Sequence, residues 1–210
     1  MKIETGRVLE SILESLSKME YIKSSQIPNI DLYMDQVLTF MNGHLEDAKR
    51  YESDKIMTKT MINNYAKNHL LPAPDKKKYS KEHIMVLMFI YYFKSILSIG
   101  DIQSILNPLT DRYFSNGKSL NLEKIYEEVF SLEEDQIEQL KETLTKDYER
   151  AENTFVNESE EDKEFLQMFS FICMLSYDIY IKRQIIEKMI DEIHLPKKEE
   201  KHKKEDRTKK

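Results

Sequence analysis

Ten consecutive apolar residues, Ile84 to Phe93 (IMVLMFIYYF), constrain this chain more than any other feature. Within a helix expected over about 81–97 they leave no polar face. A bilayer needs about 20 such residues, so the run is too short to span one. A short helix that is apolar all round belongs inside a core, buried on several sides. Ser80 can cap it, and Glu82 lies favourably near its N-terminus.

The rest of the chain agrees with a helical core. Its 210 residues contain only 4 glycines and 5 prolines. Sandwiches, barrels and α/β folds spend many such residues on tight turns, so the scarcity predicts long helices and few loops. With 40% hydrophobic and 33% charged residues the chain has enough apolar surface to fold. Cys173 is the lone cysteine, which rules out a disulfide scaffold and fits a reducing compartment. It lies in the apolar run Phe169–Leu175 and is expected to be buried there. Residues 1–26 have no apolar leader core, and segment 165–181 is interrupted by Gln167 and Asp178. A soluble, cytoplasmic protein is therefore expected.

Helical spacing divides the chain into elements. Val8, Ile12, Leu16 and Met19 predict an N-terminal helix within 1–26. A break at 24–29 precedes a helix over about 31–42, which Asn42-Gly43 should end. Thr58 reads as the N-cap of a helix over 59–68, stopped by Pro72 and Pro74. Ser98 and Asp101 form a capping-box variant opening a short helix at Ile102–Leu106. Asn107-Pro108 and Asn116-Gly117 then read as a linker. Beyond it, helices are expected at about 120–130, at 132–156 behind a Ser131/Glu134 cap, and at 160–194 behind Ser159. The resulting division is 1–26, 27–107, 108–196 and a charged tail, 197–210, expected to be disordered.

Net charge is −6, but it is unevenly spread. Residues 54–83 hold seven lysines against three acids, whereas 121–164 hold sixteen acids against five bases. The tail holds eight bases against four acids. A basic segment inside an acidic chain keeps nucleic acid in contention.

On a wheel at ~100° per residue, helix 59–68 divides cleanly. Lys59, Thr60, Asn63, Asn64, Lys67 and Asn68 occupy one half, and Met61, Ile62, Tyr65 and Ala66 the other. A compact basic turn, Asp75-Lys76-Lys77-Lys78-Tyr79, follows. A helix that reads DNA needs one apolar face for docking and one polar face for base edges. Asn63 and Asn64 are suited to paired hydrogen bonds with adenine. Lys59 and Lys67 could neutralise phosphates on either side of the groove, as could Lys76, Lys77 and Lys78, with the Tyr79 hydroxyl as a further donor.

Several residues carry a resemblance. The stretch Thr58-Lys-Thr-Met-Ile-Asn-Asn-Tyr65, then Leu70-Leu71-Pro72, then Tyr79-Ser80, then Leu97-Ser98 to Asp101-Ile102 resembles the DNA-binding head of MerR-type transcription regulators. More narrowly, residues 27–106 resemble the uncharacterised family catalogued as domain of unknown function 1836. The MerR resemblance implies a nearly all-α fold: a winged helix-turn-helix head followed by a C-terminal helical bundle or hairpin. It implies double-stranded DNA as partner, contacted by Thr58, Lys59, Thr60, Asn63, Asn64 and Lys67 and by Lys76, Lys77, Lys78 and Tyr79. It also implies dimerisation through helices after the head, here within 120–194. Thr60 and Asn63 stand where MerR-type recognition helices often carry arginine.

Catalysis finds no motif. There is no phosphate loop, no nucleophile elbow, no zincin motif and no cysteine pair. His44 and Asp47 share a helical turn but read as solvent-facing, and the acidic run 158–164 reads as a helix start. No cofactor, metal or catalytic residue is expected. The competing class is a helical protein-interaction adaptor that does not bind DNA. A sensor with a small-molecule pocket among the C-terminal helices is a third reading.

Overall fold

The computed structural model describes residues 5–17 and 21–194. Met19 and the charged tail 197–210 lie outside the described residues. Among the described residues the chain is nearly all-α, with seven α-helices and one two-stranded sheet. In chain order these are α1 (Thr5–Ser17), β1 (Leu32–Tyr33), α2 (Met34–His44), α3 (Lys59–Lys67), β2 (Lys78–Tyr79), α4 (Lys81–Phe93), α5 (Ile99–Tyr113), α6 (Leu122–Glu152) and α7 (Glu160–His194). Single 3-10 turns sit at Ser24–Gln26 and Glu46–Ala48. No described helix is long and apolar enough to cross a membrane.

The ten-residue apolar run is the centre of the molecule. Every residue of α4 from His83 to Ile90 is buried. Around it pack Val37 and Met41 of α2, Ile62 and Tyr65 of α3, Ile102 and Leu106 of α5, and Leu122, Tyr126 and Phe130 of α6. Phe89 stacks on Phe130, and the Tyr126 hydroxyl donates to the Ile22 carbonyl at 2.6 Å. The chain ahead of β1 is thereby fastened to the same core. In the sheet, Leu32 pairs with Tyr79 and Tyr33 with Lys78, antiparallel.

A second, smaller cluster lies beyond this core. There α6 and α7 form an antiparallel hairpin, with Leu144, Tyr148, Ala151 and Phe171 at its centre. Leu9, Leu13 and Leu16 of α1 pack on it. The inward face of α1 is thus Leu9/Leu13/Leu16: of the expected periodic residues Leu16 packs inward, whereas Val8 and Ile12 are exposed. At its other end α7 returns to the main core through Ile186 and Ile190.

Three expected breaks fall inside helices. α2 runs through Asn42-Gly43 to His44, because the Asn42 side chain bonds the Leu38 carbonyl behind it and Gly43 has no positive φ. α5 runs through Asn107-Pro108, so the domain boundary expected at 107/108 falls within a helix. Pro108 is exposed, and a carbonyl deprived of its donor on the solvent side can take water instead. α6 is continuous across Ser131, whose hydroxyl bonds the Glu128 carbonyl instead of capping a new helix. Cys173 is exposed on α7, not buried as expected, since α7 turns its neighbours Phe171 and Met174 inward.

Candidate nucleic-acid interface

The wheel drawn for α3 is reproduced residue by residue. Lys59, Thr60, Asn63, Asn64 and Lys67 are exposed, while Ile62 and Tyr65 are buried. Thr58 is half-buried and caps the helix, its hydroxyl accepting the Met61 N–H at 3.2 Å. Burial raises the Tyr65 hydroxyl above its ordinary pKa, in keeping with a packing residue. The backbone N–H groups of Leu70 and Leu71 both bond the Tyr65 carbonyl, which closes the C-terminal end of α3 tightly.

Three side chains fasten α3 to the scaffold, and none was given that role from the sequence, where Asn42 was read only as part of a helix end. Asn42 bonds Met57 on both sides: its amide donates to the Met57 carbonyl and its oxygen accepts the Met57 N–H, each at 3.2 Å. Met57 immediately precedes the cap Thr58. Lys94 donates to the neighbouring Ile56 carbonyl at 2.9 Å and lies over the Tyr91 ring, and burial lowers its pKa. At the far end Gln103 donates to the Asn68 carbonyl. The segment joining α2 to α3, residues 45–58, is far longer than the three- or four-residue turn of a compact helix-turn-helix. Asn42 and Lys94 hold that long connection in place. An asparagine inside a helix and a lysine at a helix end carry no sequence mark of long-range bonding.

The basic turn is a tight one. The Lys78 N–H bonds the Asp75 carbonyl at 2.8 Å, and Lys76 and Lys77 adopt φ of 46° and 66°. Two successive positive φ values are those of a type I′ turn, ordinarily filled by Asn-Gly. Each left-handed non-glycine residue costs about 1–2 kcal/mol. Both lysines are exposed, and Lys78 is half-buried with its ammonium 5.3 Å from the Tyr33 ring centroid. Tyr79 is only 4% exposed, lies edge-on to His83, and burial raises its pKa. Its ring packs the base of the turn.

His83 closes the site from below. Its Nδ1 accepts the Ser80 N–H at 3.0 Å, and its ring meets Tyr79 and Phe114 edge-on. Nε2 is enclosed near the Pro72 and Ala73 carbonyls without a well-formed hydrogen bond. Burial lowers the pKa, and those carbonyls and the Asp31 carboxylate only partly oppose it. Among the described residues no three His, Cys, Asp or Glu side chains converge as a metal site.

Comparison with known proteins adds one finding. No curated protein and no solved structure matches the chain. A family model, Domain of unknown function (DUF1836), matches residues 22–129, slightly over half of the chain. That stretch begins at Ile22, which accepts the Tyr126 hydroxyl, and ends beside Phe130, so it takes in nearly all of the core around α4 together with α3 and the basic turn. The chain belongs to the DUF1836 family.

Proposed function

We propose that this protein is a sequence-specific DNA-binding regulator acting in the cytoplasm, its head a MerR-like winged helix-turn-helix. In this reading α3 enters the major groove and the turn 76–78 lies against the phosphate backbone. The observation that carries it is the surface of α3: five exposed polar or basic side chains on a helix whose other face is locked into the core. The order β1, α2, α3, turn, β2, α4, α5 supports it, as does the resemblance of these segments to MerR-type heads. The strained turn supports it too. Backbone strain concentrates where function requires it, and here it places two lysines at an exposed tip.

The test is recovery of fragments from total genomic DNA by the full chain at ~150 mM salt, where distant charges are screened. Two variants run beside it. Asn63→Ala should relax preference at one base position, at a cost of about 1–3 kcal/mol. The double variant Lys76→Asn/Lys77→Gly removes two phosphate contacts and flattens the salt slope by about two units. It also relieves the turn, so its stability should rise by about 1 kcal/mol after the entropy cost of glycine. A loss of binding in a more stable protein cannot be blamed on unfolding. Recovery of no shared motif would sink the reading and favour the adaptor, which the absence of arginine from α3 and the net charge of −6 support.

A further inference from the structure

Tyr33 occupies a helix-capping position without capping the helix through its side chain. It is the last residue of β1 and the N-cap of α2. That position favours Ser, Thr, Asp or Asn, whose short side chains reach the first free N–H groups of a helix. A phenol oxygen lies too far along its ring to do so, and the Tyr33 side chain makes no capping hydrogen bond. The residue is instead 55% exposed. An aromatic here gives up a cap without gaining burial, and local departures of this kind are expected at functional positions.

The contacts around Tyr33 hold it beside the basic turn. Antiparallel pairing sets Tyr33 directly opposite Lys78, so both side chains leave the sheet on one face. The Lys78 ammonium lies 5.3 Å from the Tyr33 ring centroid, within reach of a cation–π contact. The Gln36 side chain accepts the Tyr33 N–H at 2.9 Å and fixes the backbone from the helix side. With the backbone held and the ring capped, little freedom is left to lose when a ligand binds. Lys76 and Lys77 form the exposed tip of the turn immediately ahead of Lys78. This edge of the molecule therefore presents an exposed phenol beside a run of three lysines.

We propose that Tyr33 is a phosphate-binding residue of the DNA interface, its hydroxyl donating to a backbone phosphate oxygen, with Lys78 as the positioning residue that holds its ring. The inference rests on the DNA reading of α3 and the basic turn, and it adds a residue from β1 to that surface. A phosphodiester suits the site because its unprotonated oxygens accept a neutral O–H while neighbouring lysines balance its charge. The two kinds of contact differ in one measurable respect. A lysine on a phosphate releases a counterion and steepens the salt dependence of binding, whereas a neutral phenol adds affinity without releasing one.

The experiment measures the affinity of the full chain for a duplex recovered from genomic DNA, across a series of salt concentrations. Tyr33→Phe keeps the ring and its contact with Lys78 and removes only the hydroxyl. It should weaken binding roughly tenfold, the size of one hydrogen bond to a charged group, and leave the salt slope unchanged. Replacing single phosphates by neutral methylphosphonates should reveal one position at which the wild type loses markedly more affinity than Tyr33→Phe. In Lys78→Met the ring is no longer held, so adding Tyr33→Phe should cost clearly less than it does alone. Wild-type affinity of Tyr33→Phe for a recovered duplex overturns the inference and leaves the DNA reading standing. So does a salt slope that falls by about one unit, because the substitution would then have dislodged a lysine. Additive effects of Tyr33→Phe and Lys78→Met overturn the positioning role of Lys78. Failure of the wild type to recover any duplex overturns this inference and the DNA reading together.

Discussion

His83 shows how one residue ties the basic turn to the core. Its neutral imidazole accepts the Ser80 N–H and thus caps α4 directly behind β2. A proton on Nδ1 would face that N–H and place a charge between the Tyr79 and Phe114 rings. Burial lowers the folded-state pKa below the ordinary 6.5, so the unfolded chain binds the proton first as pH falls. The stabilisation is complete above about pH 6.5 and declines below it until the folded-state pKa is reached, by at most about 1.4 kcal/mol per pH unit. His83→Gln keeps an acceptor at the third helical position, a common capping-box residue, and cannot titrate. Urea unfolding between about pH 5 and 7 should show a falling midpoint for the wild type and a flatter one for the variant. Parallel curves would show that the ring does not govern acid sensitivity.

At the scale of elements, the question is what aims α3. The helix is short and its exposed half makes few contacts, so its direction depends on the connection leading into it. Asn42 bonds both polar backbone groups of the buried Met57. Asn42→Ala would leave both without a partner, at a cost of about 1–3 kcal/mol. Hydrogen exchange should quicken over residues 56–62 and stay unchanged in α6; uniform quickening would mean that Asn42 supports the whole core and not the approach to α3. Much of α3 itself was legible in the sequence, because cap, polar half and buried half all follow from local spacing. The same is true of the capping box at Ser98 and Asp101 and of the buried α4. What the sequence concealed depends on partners far along the chain. Asn42 and Lys94 act across fifteen and thirty-eight residues. Ser131 looked like a helix start because Ser131 and Glu134 match a capping box, and the 107/108 boundary looked like a stop because proline lacks an N–H. Each is tolerated where the hydroxyl bonds its own helix or the ring faces water. Whether the exposed face of α3 meets DNA was never written in periodicity at all, since any solvated helix shows the same division.

Over the whole molecule the charge distribution sets a conflict that the DNA reading must resolve. A chain of net charge −6 repels a polyanion at long range, while its basic segment attracts at contact. The Debye length decides which is felt: about 30 Å at 0.01 M salt and about 8 Å at 0.15 M. At low salt the acidic outer half of α6 opposes the approach of DNA; at physiological salt it is screened and only the lysines near α3 and the turn count. Glu142, Glu149 and Glu152 are exposed on that half of α6, beyond the core around α4. Changing all three to glutamine should speed association with a recovered DNA site by about 3–10-fold at ~10 mM salt and by less than about twofold at ~150 mM. Stopped-flow fluorescence with labelled duplex reads both rates. Equal acceleration at both salts would mean that these carboxylates lie within contact distance of the DNA, and the DNA would then have to bind along the hairpin and not across α3. No acceleration at low salt would mean that the acidic half of the molecule is turned so far from the incoming duplex that its field is not felt. The salt dependence of the rate therefore locates the DNA relative to α6 without any structure of the complex.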